Sequence, residues 1–208
     1  TAITDKDGAW VYGFKMPEYD AIISVGLKES ADASGQDAGI MFQDNFSEDT
    51  TMTERGWNQN ADIISGGAFL KNTEKLYLES PDNVNNWKDY VVEADVKAID
   101  MNAERSGSIV ALGMRCTDGT GGYHFRLCAT WADNAGAFAV YDAMAEKEIL
   151  KTDARDVNAG QTYHVAMVVQ ENQILCYVDG EHVLTTTADT SARGSIFFTS
   201  LNGTALID

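Results

Sequence analysis

The chain has 208 residues, with 15 Lys plus Arg against 32 Asp plus Glu and a formal net charge of −17. Binding a phosphate backbone needs clustered Lys and Arg that displace counterions, so this balance excludes a nucleic-acid partner and disfavours an anionic membrane surface. Hydrophobic residues at 44% and aromatics at 10% are a globular composition, and no apolar run approaches the roughly 20 residues that span a bilayer, so no membrane insertion is expected.

The chain opens on polar residues and reads as an excised piece of something longer. Residues 1–28 stand apart from the rest. Their tail, Ala21–Lys28, alternates like an edge strand. Residues 29–38 are small and polar and read as a linker, which leaves residues 39–208 as the main domain. Helical periodicity is almost absent there, and short runs alternate apolar and polar residues between Gly, Asn and Asp clusters. In Tyr90–Ile99, Val92, Ala94, Val96 and Ala98 point one way while Glu93, Asp95 and Lys97 point the other.

Next comes a hairpin, Ser108–Cys116 and Tyr123–Cys128, joined by the loop Thr117–Gly122. Pairing Met114 with Phe125 and Leu112 with Leu127 keeps the apolar residues on one face, and the same register sets Arg115 opposite His124, with Arg126 alongside. Gly119, Gly121 and Gly122 are turn glycines. Thr162–Val169 runs to a turn at Glu171 and Asn172, and Gln173–Val178 meets Glu181–Thr185 across Asp179-Gly180, a type I′ signal. Gly194–Ser200 and Thr204–Asp208 close the series. The fold class is all-β, with antiparallel sheets stacked face to face.

The three cysteines, Cys116, Cys128 and Cys176, fit no zinc spacing and read as buried apolar side chains, with a Cys116–Cys128 bridge left open. No Ser-His-Asp order, HExxH motif or phosphate-binding glycine loop appears.

An opening Phe42–Phe46, then Gly56-Trp57, Ser65–Phe69, Trp87–Tyr90, Gly113–Arg115, Tyr123–Arg126, Tyr177–Gly180 and Gly194–Ile196 follow one another over the main domain. In that order they resemble the concanavalin A-like lectin/glucanase superfamily, and within it the laminin-G-like and fructan-binding-type modules attached to bacterial glycosidases. The resemblance implies a jelly-roll β-sandwich of two antiparallel sheets, one of them often sugar-binding. Val11–Lys28, with its aromatic-x-Met-Pro-x-x-Asp run, resembles the closing segment of the β-rich repeats of Gram-positive surface proteins. That implies a secreted or cell-surface parent chain with further domains.

Laminarinase-type members carry Glu-x-Asp-x-Glu on a strand. Here Glu93-Ala-Asp95-Val-Lys97 lacks the last carboxylate, and Glu93 and Asp95 stand about 6.5–7 Å apart along a strand, against about 5–5.5 Å for a retaining pair. They read as a solvated strand face. A sugar site needs aromatic faces for stacking and planar polar groups for hydroxyls. Arg115, His124 and Arg126 are expected on one face, either neutralised by Glu93 and Asp95 if their strand is adjacent, or available to a hydroxyl-rich or anionic ligand. The resemblance places a ligand-gripping Arg at Arg115. Trp131 and Tyr141 are stacking candidates, whereas Trp57 and Trp87 resemble packing anchors. The superfamily often holds a structural calcium where the first and last strands meet, which falls on Asp44 and Asp208 here. The expected function is a non-catalytic module that binds a polysaccharide or glycan, accessory to a glycoside hydrolase. The alternatives are a structural or adhesive spacer, or a glycosidase with an unfamiliar catalytic pair.

Overall fold

The computed structural model describes residues 2–4, 10–12, 23–27, 40–46, 51–58, 61–80, 83–101, 108–117, 119–129 and 136–208. Among them the chain is strands and turns, with a single 3-10 turn, Val84–Asn86, and no α-helix. The strands are β1 (Ala2–Thr4), β2 (Trp10–Tyr12), β3 (Ile23–Leu27), β4 (Ile40–Asp44), β5 (Asp62–Ile64), β6 (Gly67–Leu70), β7 (Lys75–Tyr77), β8 (Tyr90–Met101) and β9 (Ile109–Cys116). They continue with β10 (Tyr123–Cys128), β11 (Ala137–Asp142), β12 (Lys147–Lys151), β13 (Thr162–Gln170), β14 (Gln173–Val178), β15 (Glu181–Thr187), β16 (Ser195–Leu201) and β17 (Gly203–Ile207).

Apart from the β1–β2 pair, the strands form two antiparallel sheets. The six-stranded sheet runs β12-β11-β10-β9-β16-β7, and the nine-stranded sheet runs β15-β14-β13-β8-β17-β6-β5 with β3 and β4 attached at β8. The expected β-sandwich is what forms. β3 lies in the stretch expected to end a preceding repeat. It hydrogen-bonds to both β4 and β8 and is a strand of this sheet.

Alternation decides which side chains fill the space between the sheets. Val92, Ala94, Val96 and Ala98 of β8, Leu112 and Met114 of β9, Phe125 and Leu127 of β10 and Phe138 and Val140 of β11 all share one core. Trp57 and Trp87 are buried there as packing anchors. Trp57 lies against Phe42, Phe46 and Phe198, and Trp87 stands edge-on to Tyr90. Asp179 and Gly180 both take positive φ, 51° and 77°, in a two-residue loop between Val178 and Glu181, as a type I′ turn requires.

The β9–β10 register differs from the expected one by two residues. Met114 pairs with Tyr123, Gly113 with His124 and Leu112 with Phe125. The apolar face survives because a shift of two preserves the pleat. Gly122 makes the tighter turn possible, since it sits at positive φ with its backbone packed on the Met114 carbonyl, where no side chain fits. Cys116 ends β9, whereas Cys128 pairs with Ile109 at the far end of the same strand pair, so no bridge joins them. All three cysteines are free and buried.

A second departure lies at Arg115. Against β16, Ser195 pairs with Cys116 and Phe197 with Gly113, so Met114 and Arg115 together face Ile196 alone. This β-bulge puts Arg115 at φ 53° and turns its side chain away from the outer face that alternation assigns it. The Arg115 N–H donates to the Tyr90 hydroxyl at 2.6 Å, and that hydroxyl reaches the Gly194 and Ser195 carbonyls at 2.9 and 3.0 Å.

The guanidinium is sealed at one end of the sandwich. Nε donates to the Lys88 carbonyl at 2.8 Å and Nη1 to the Asp189 carbonyl at 2.9 Å. Nη2 donates to the Glu171 carbonyl at 2.9 Å and to Asp89 Oδ1 at 3.1 Å. Those partners lie before β8, after β15 and in the β13–β14 turn, so a strand of the six-stranded sheet fastens one turn of the nine-stranded sheet and two segments that pass between the sheets. Arg115 is therefore not a ligand-gripping residue, and the expected outward cluster of two guanidiniums and an imidazole does not form. Replacing Arg115 with Met keeps bulk but takes the cation from Asp89 and a donor from each of three carbonyls, so urea unfolding followed by Trp fluorescence should show a loss of about 3–5 kcal/mol. Arg115→Lys should recover little of it, because an ammonium lacks the planar fork. A loss under about 1 kcal/mol would contradict this role.

Candidate functional site on the outer face of the six-stranded sheet

Strand register places the remaining candidates. On the face turned away from the core, one row across the sheet reads Glu148, Tyr141, His124, Gly113, Phe197, Tyr77. The next reads Lys151, Ala139, Arg126, Ala111, Thr199, Lys75. A third holds Ala137, Cys128, Ile109 and Leu201, of which Cys128 and Ile109 join Ala111 in a small apolar cluster of their own.

His124 is half-buried in the aromatic row. Its ring stands edge-on to Phe197, with centroids 4.6 Å apart, and tilts against Tyr141 at 5.9 Å. Its Nε2 lies 3.0 Å from the Gly121 carbonyl, which can only accept, so Nε2 carries the proton and Nδ1 is left as the acceptor. Burial pushes the imidazole down to about 4, helped by the charges of Arg126 and Lys75 and opposed by the Gly121 contact. Phe197 is 1% exposed although it points outward. Its ring occupies the space where a Cβ at 113 would stand, so a glycine there lets an aromatic lie flat on the sheet.

Arg126 stacks on Tyr141 with its guanidinium carbon 3.5 Å from the ring centroid. Burial lowers its pKa, while Tyr141 and Glu148 oppose that shift. The ion pairs among the described residues do not include Arg126. Glu148 buries a carboxylate oxygen, Oε2, that accepts no hydrogen bond from a described residue. The face thus offers a cation on an aromatic plate and a neutral imidazole whose Nδ1 is an acceptor.

Glu93 and Asp95 lie elsewhere. β8 belongs to the nine-stranded sheet, so the adjacency on which their neutralising the arginines depended is not met. Asp95 takes a 2.7 Å hydrogen bond from His164 Nδ1, which raises the imidazole pKa above its ordinary value. Glu93 has one buried oxygen without a hydrogen-bond partner among the described residues, and burial raises its pKa.

The calcium expectation at Asp44 does not fit the residues present. Asp44 Oδ1 accepts from the Phe46 N–H at 2.8 Å and from Arg55 Nη1, and Oδ2 accepts from Trp57 Nε1 at 2.7 Å. A guanidinium already supplies the positive charge a cation would bring. Asp208 exchanges backbone hydrogen bonds with Asp95 at 2.6 and 2.8 Å. No group of three or more His, Cys, Asp or Glu able to hold a metal occurs among the described residues. Trp131 lies outside the described residues.

The structure brings together His124, Arg126 and Tyr141 of the expected site. Sequence reasoning missed Phe197, Tyr77, Lys75, Glu148 and Lys151. β16 and β7 reach β9 from remote parts of the chain, and no local pattern announces that strand order. The one available signal was alternation within Ser195–Leu201, which puts Phe197 and Thr199 on the same face.

Residues 72–202 match a laminin-G-type family model described as concanavalin A-like lectin/glucanases superfamily. The chain belongs to that superfamily. Among solved structures, this superfamily member is similar to a carbohydrate-binding module, CBM66, from Bacillus subtilis, at 18% identity and TM-score 0.58, covering 74% of this chain and 92% of that one. It is also similar to the exoplasmic/lumenal domain of VIP36, whose structure is a Ca2+/Man3GlcNAc-bound form, at 12% identity and TM-score 0.54, covering 74% and 81%. A GH43 protein from Bacillus licheniformis matches at 13% identity and TM-score 0.54, covering 99% of this chain and 44% of that one. These likenesses establish the fold. No curated protein matches the chain. No helix is long and apolar enough to cross a membrane among the described residues.

His124 gives the site a pH signature. Its folded pKa of about 4 lies below its ordinary 6.5, so the unfolded chain takes up the proton first as pH falls. Stability present above pH 6.5 is lost between about 6.5 and 4, by on the order of 3 kcal/mol at the lower end. His164, raised by Asp95, acts with the opposite sign, losing its contribution as pH rises through its folded value. Urea unfolding across that window should show a shallower acid loss for His124→Gln than for the wild type. Equal slopes would show that the imidazole titrates normally.

Proposed function

We propose that this chain is a non-catalytic carbohydrate-binding module of a secreted or cell-surface multidomain protein, and that it binds its ligand on the outer face of the six-stranded sheet. The observation that carries the reading is the stack of Arg126 on Tyr141 beside His124, with no carboxylate among the described residues pairing the guanidinium. A guanidinium held flat by an aromatic ring keeps its in-plane N–H groups aimed sideways, where sugar hydroxyls can accept from them. His124 Nδ1 supplies an acceptor, so the face offers both halves of the hydrogen bonding a saccharide needs. Trp131, three residues beyond the end of β10, is the further stacking candidate from the sequence. The similar solved structures include a carbohydrate-binding module and a glycan-bound lumenal domain, which supports the reading. The accessory role beside a glycoside hydrolase that the sequence resemblance implies is part of this proposal. A shallow sheet face buries little ligand area, so single-site affinity is weak and the parent chain's other modules supply avidity.

The test is a glycan array with the 208-residue chain. Wild type should bind at least one glycan, and Arg126→Ala and Tyr141→Ala should each weaken binding tenfold or more, about 1.4 kcal/mol, with little change in thermal midpoint. Silence across plant, microbial and host glycans would favour a spacer. Release of reducing sugar abolished by Glu93→Gln would favour a glycosidase.

A further inference from the structure

The second row of that face departs from the charge of the chain as a whole. In a protein of net charge −17, the six positions Lys151, Ala139, Arg126, Ala111, Thr199 and Lys75 carry three cations and no carboxylate. Strands neighbour each other at about 4.8 Å, so Lys151 and Arg126 stand about 10 Å apart, Arg126 and Lys75 about 14 Å, and the whole row spans about 24 Å. Alanine, threonine and alanine between the cations keep the row low. Immediately beside it runs the aromatic row, with Tyr141, His124, Phe197 and Tyr77.

From this juxtaposition we infer that the ligand is an anionic linear glycan, bearing carboxylate or sulfate groups, that lies across the strands with its charges on Lys151, Arg126 and Lys75 and its sugar faces toward the aromatic row. The inference rests on the carbohydrate-binding reading above and names the ligand class for that same face. The three cations are spread along a line rather than gathered at a point, which suits a repeating charge on an extended chain better than a single small anion. Glu148, the acidic residue of the adjoining row, stands at its end with one oxygen unengaged among the described residues. His124 Nδ1, in the middle of that row, is the acceptor for a hydroxyl, which a glycan offers and an inorganic anion does not. The field of the row is felt locally, since both Lys75 and Arg126 depress the pKa of His124. The chain's overall negative charge repels a polyanion only at a distance, because at 0.15 M salt the screening length is about 8 Å and contact charges decide.

Affinity electrophoresis and calorimetry at 0.15 M NaCl separate the possibilities, with polygalacturonate and alginate as carboxylated probes, heparin and chondroitin sulfate as sulfated ones, and xylan, levan and β-glucan as neutral ones. At least one anionic polymer should bind tenfold or more tighter than every neutral one, and binding should weaken sharply in 1 M NaCl. Which anionic set binds tells carboxylate from sulfate. Lys75→Ala/Lys151→Ala, both at exposed positions, should fold normally and lose about tenfold in affinity, and carboxyl-reduced polygalacturonate should lose binding in the same proportion. Neutral polymers that bind as tightly as anionic ones, with no response to the lysine variants but loss in Arg126→Ala, would overturn the anionic class and leave the face intact. Anionic binding unaffected by either the lysine variants or Arg126→Ala would overturn both, as would the absence of any glycan binding.

Discussion

The Arg115 guanidinium is the constraint on which the arrangement turns. A sandwich of two sheets has open ends, where strand connections expose carbonyls that water must otherwise satisfy. Here a single side chain from β9 gathers the carbonyls of Lys88, Glu171 and Asp189, together with the Asp89 carboxylate. Asp89 Oδ1 also accepts from the Glu171 N–H at 2.7 Å, so the acid and the base fasten the β13–β14 turn from two sides. The bulge makes this possible, and the Tyr90 hydroxyl holds the bulge by accepting from the N–H that the ladder would otherwise use.

The same bulge decides what the outer face contains. With Arg115 removed from it, Arg126 stands two strands from Lys151 and three from Lys75, spaced rather than clustered, and small residues lie between. Gly113 has a comparable influence. It lets Phe197 lie against the sheet and support His124, whose imidazole is thereby kept neutral in the physiological range. Two arginines of neighbouring strands are thus sent to different places, Arg115 to the closed end of the sandwich and Arg126 to the outer face, and backbone geometry rather than residue type makes the division.

Much of the fold was legible from alternation. Val92, Ala94, Val96 and Ala98 in the core, the Asp179-Gly180 turn and the buried Trp57 and Trp87 all followed from local pattern. The face shared by His124 and Arg126 was legible too, because a strand's parity survives an error of two in register. Three things were not. A bulge inverts parity within one residue, and nothing in Gly113–Cys116 marks it. Sheet membership of β8 depends on pairing with β13 and β17, far along the chain, so whether Glu93 and Asp95 adjoin the arginines is not legible locally. Asp44 carries a negative charge suited to calcium, yet Arg55 and Trp57 already engage it, which only tertiary structure reveals.

The division between the two arginines can be read without any ligand. In nitrogen-resolved spectra of the arginine side chains, transferred into heavy water, the Arg115 Nε–H should persist long after the others, because it is buried and bonded to the Lys88 carbonyl. The Arg126 signal, half-exposed on its ring, should vanish early. An Arg115 signal that disappears as fast as that of Arg126 would show that the guanidinium is not sealed between the sheets, and the account of how this face is built would fail.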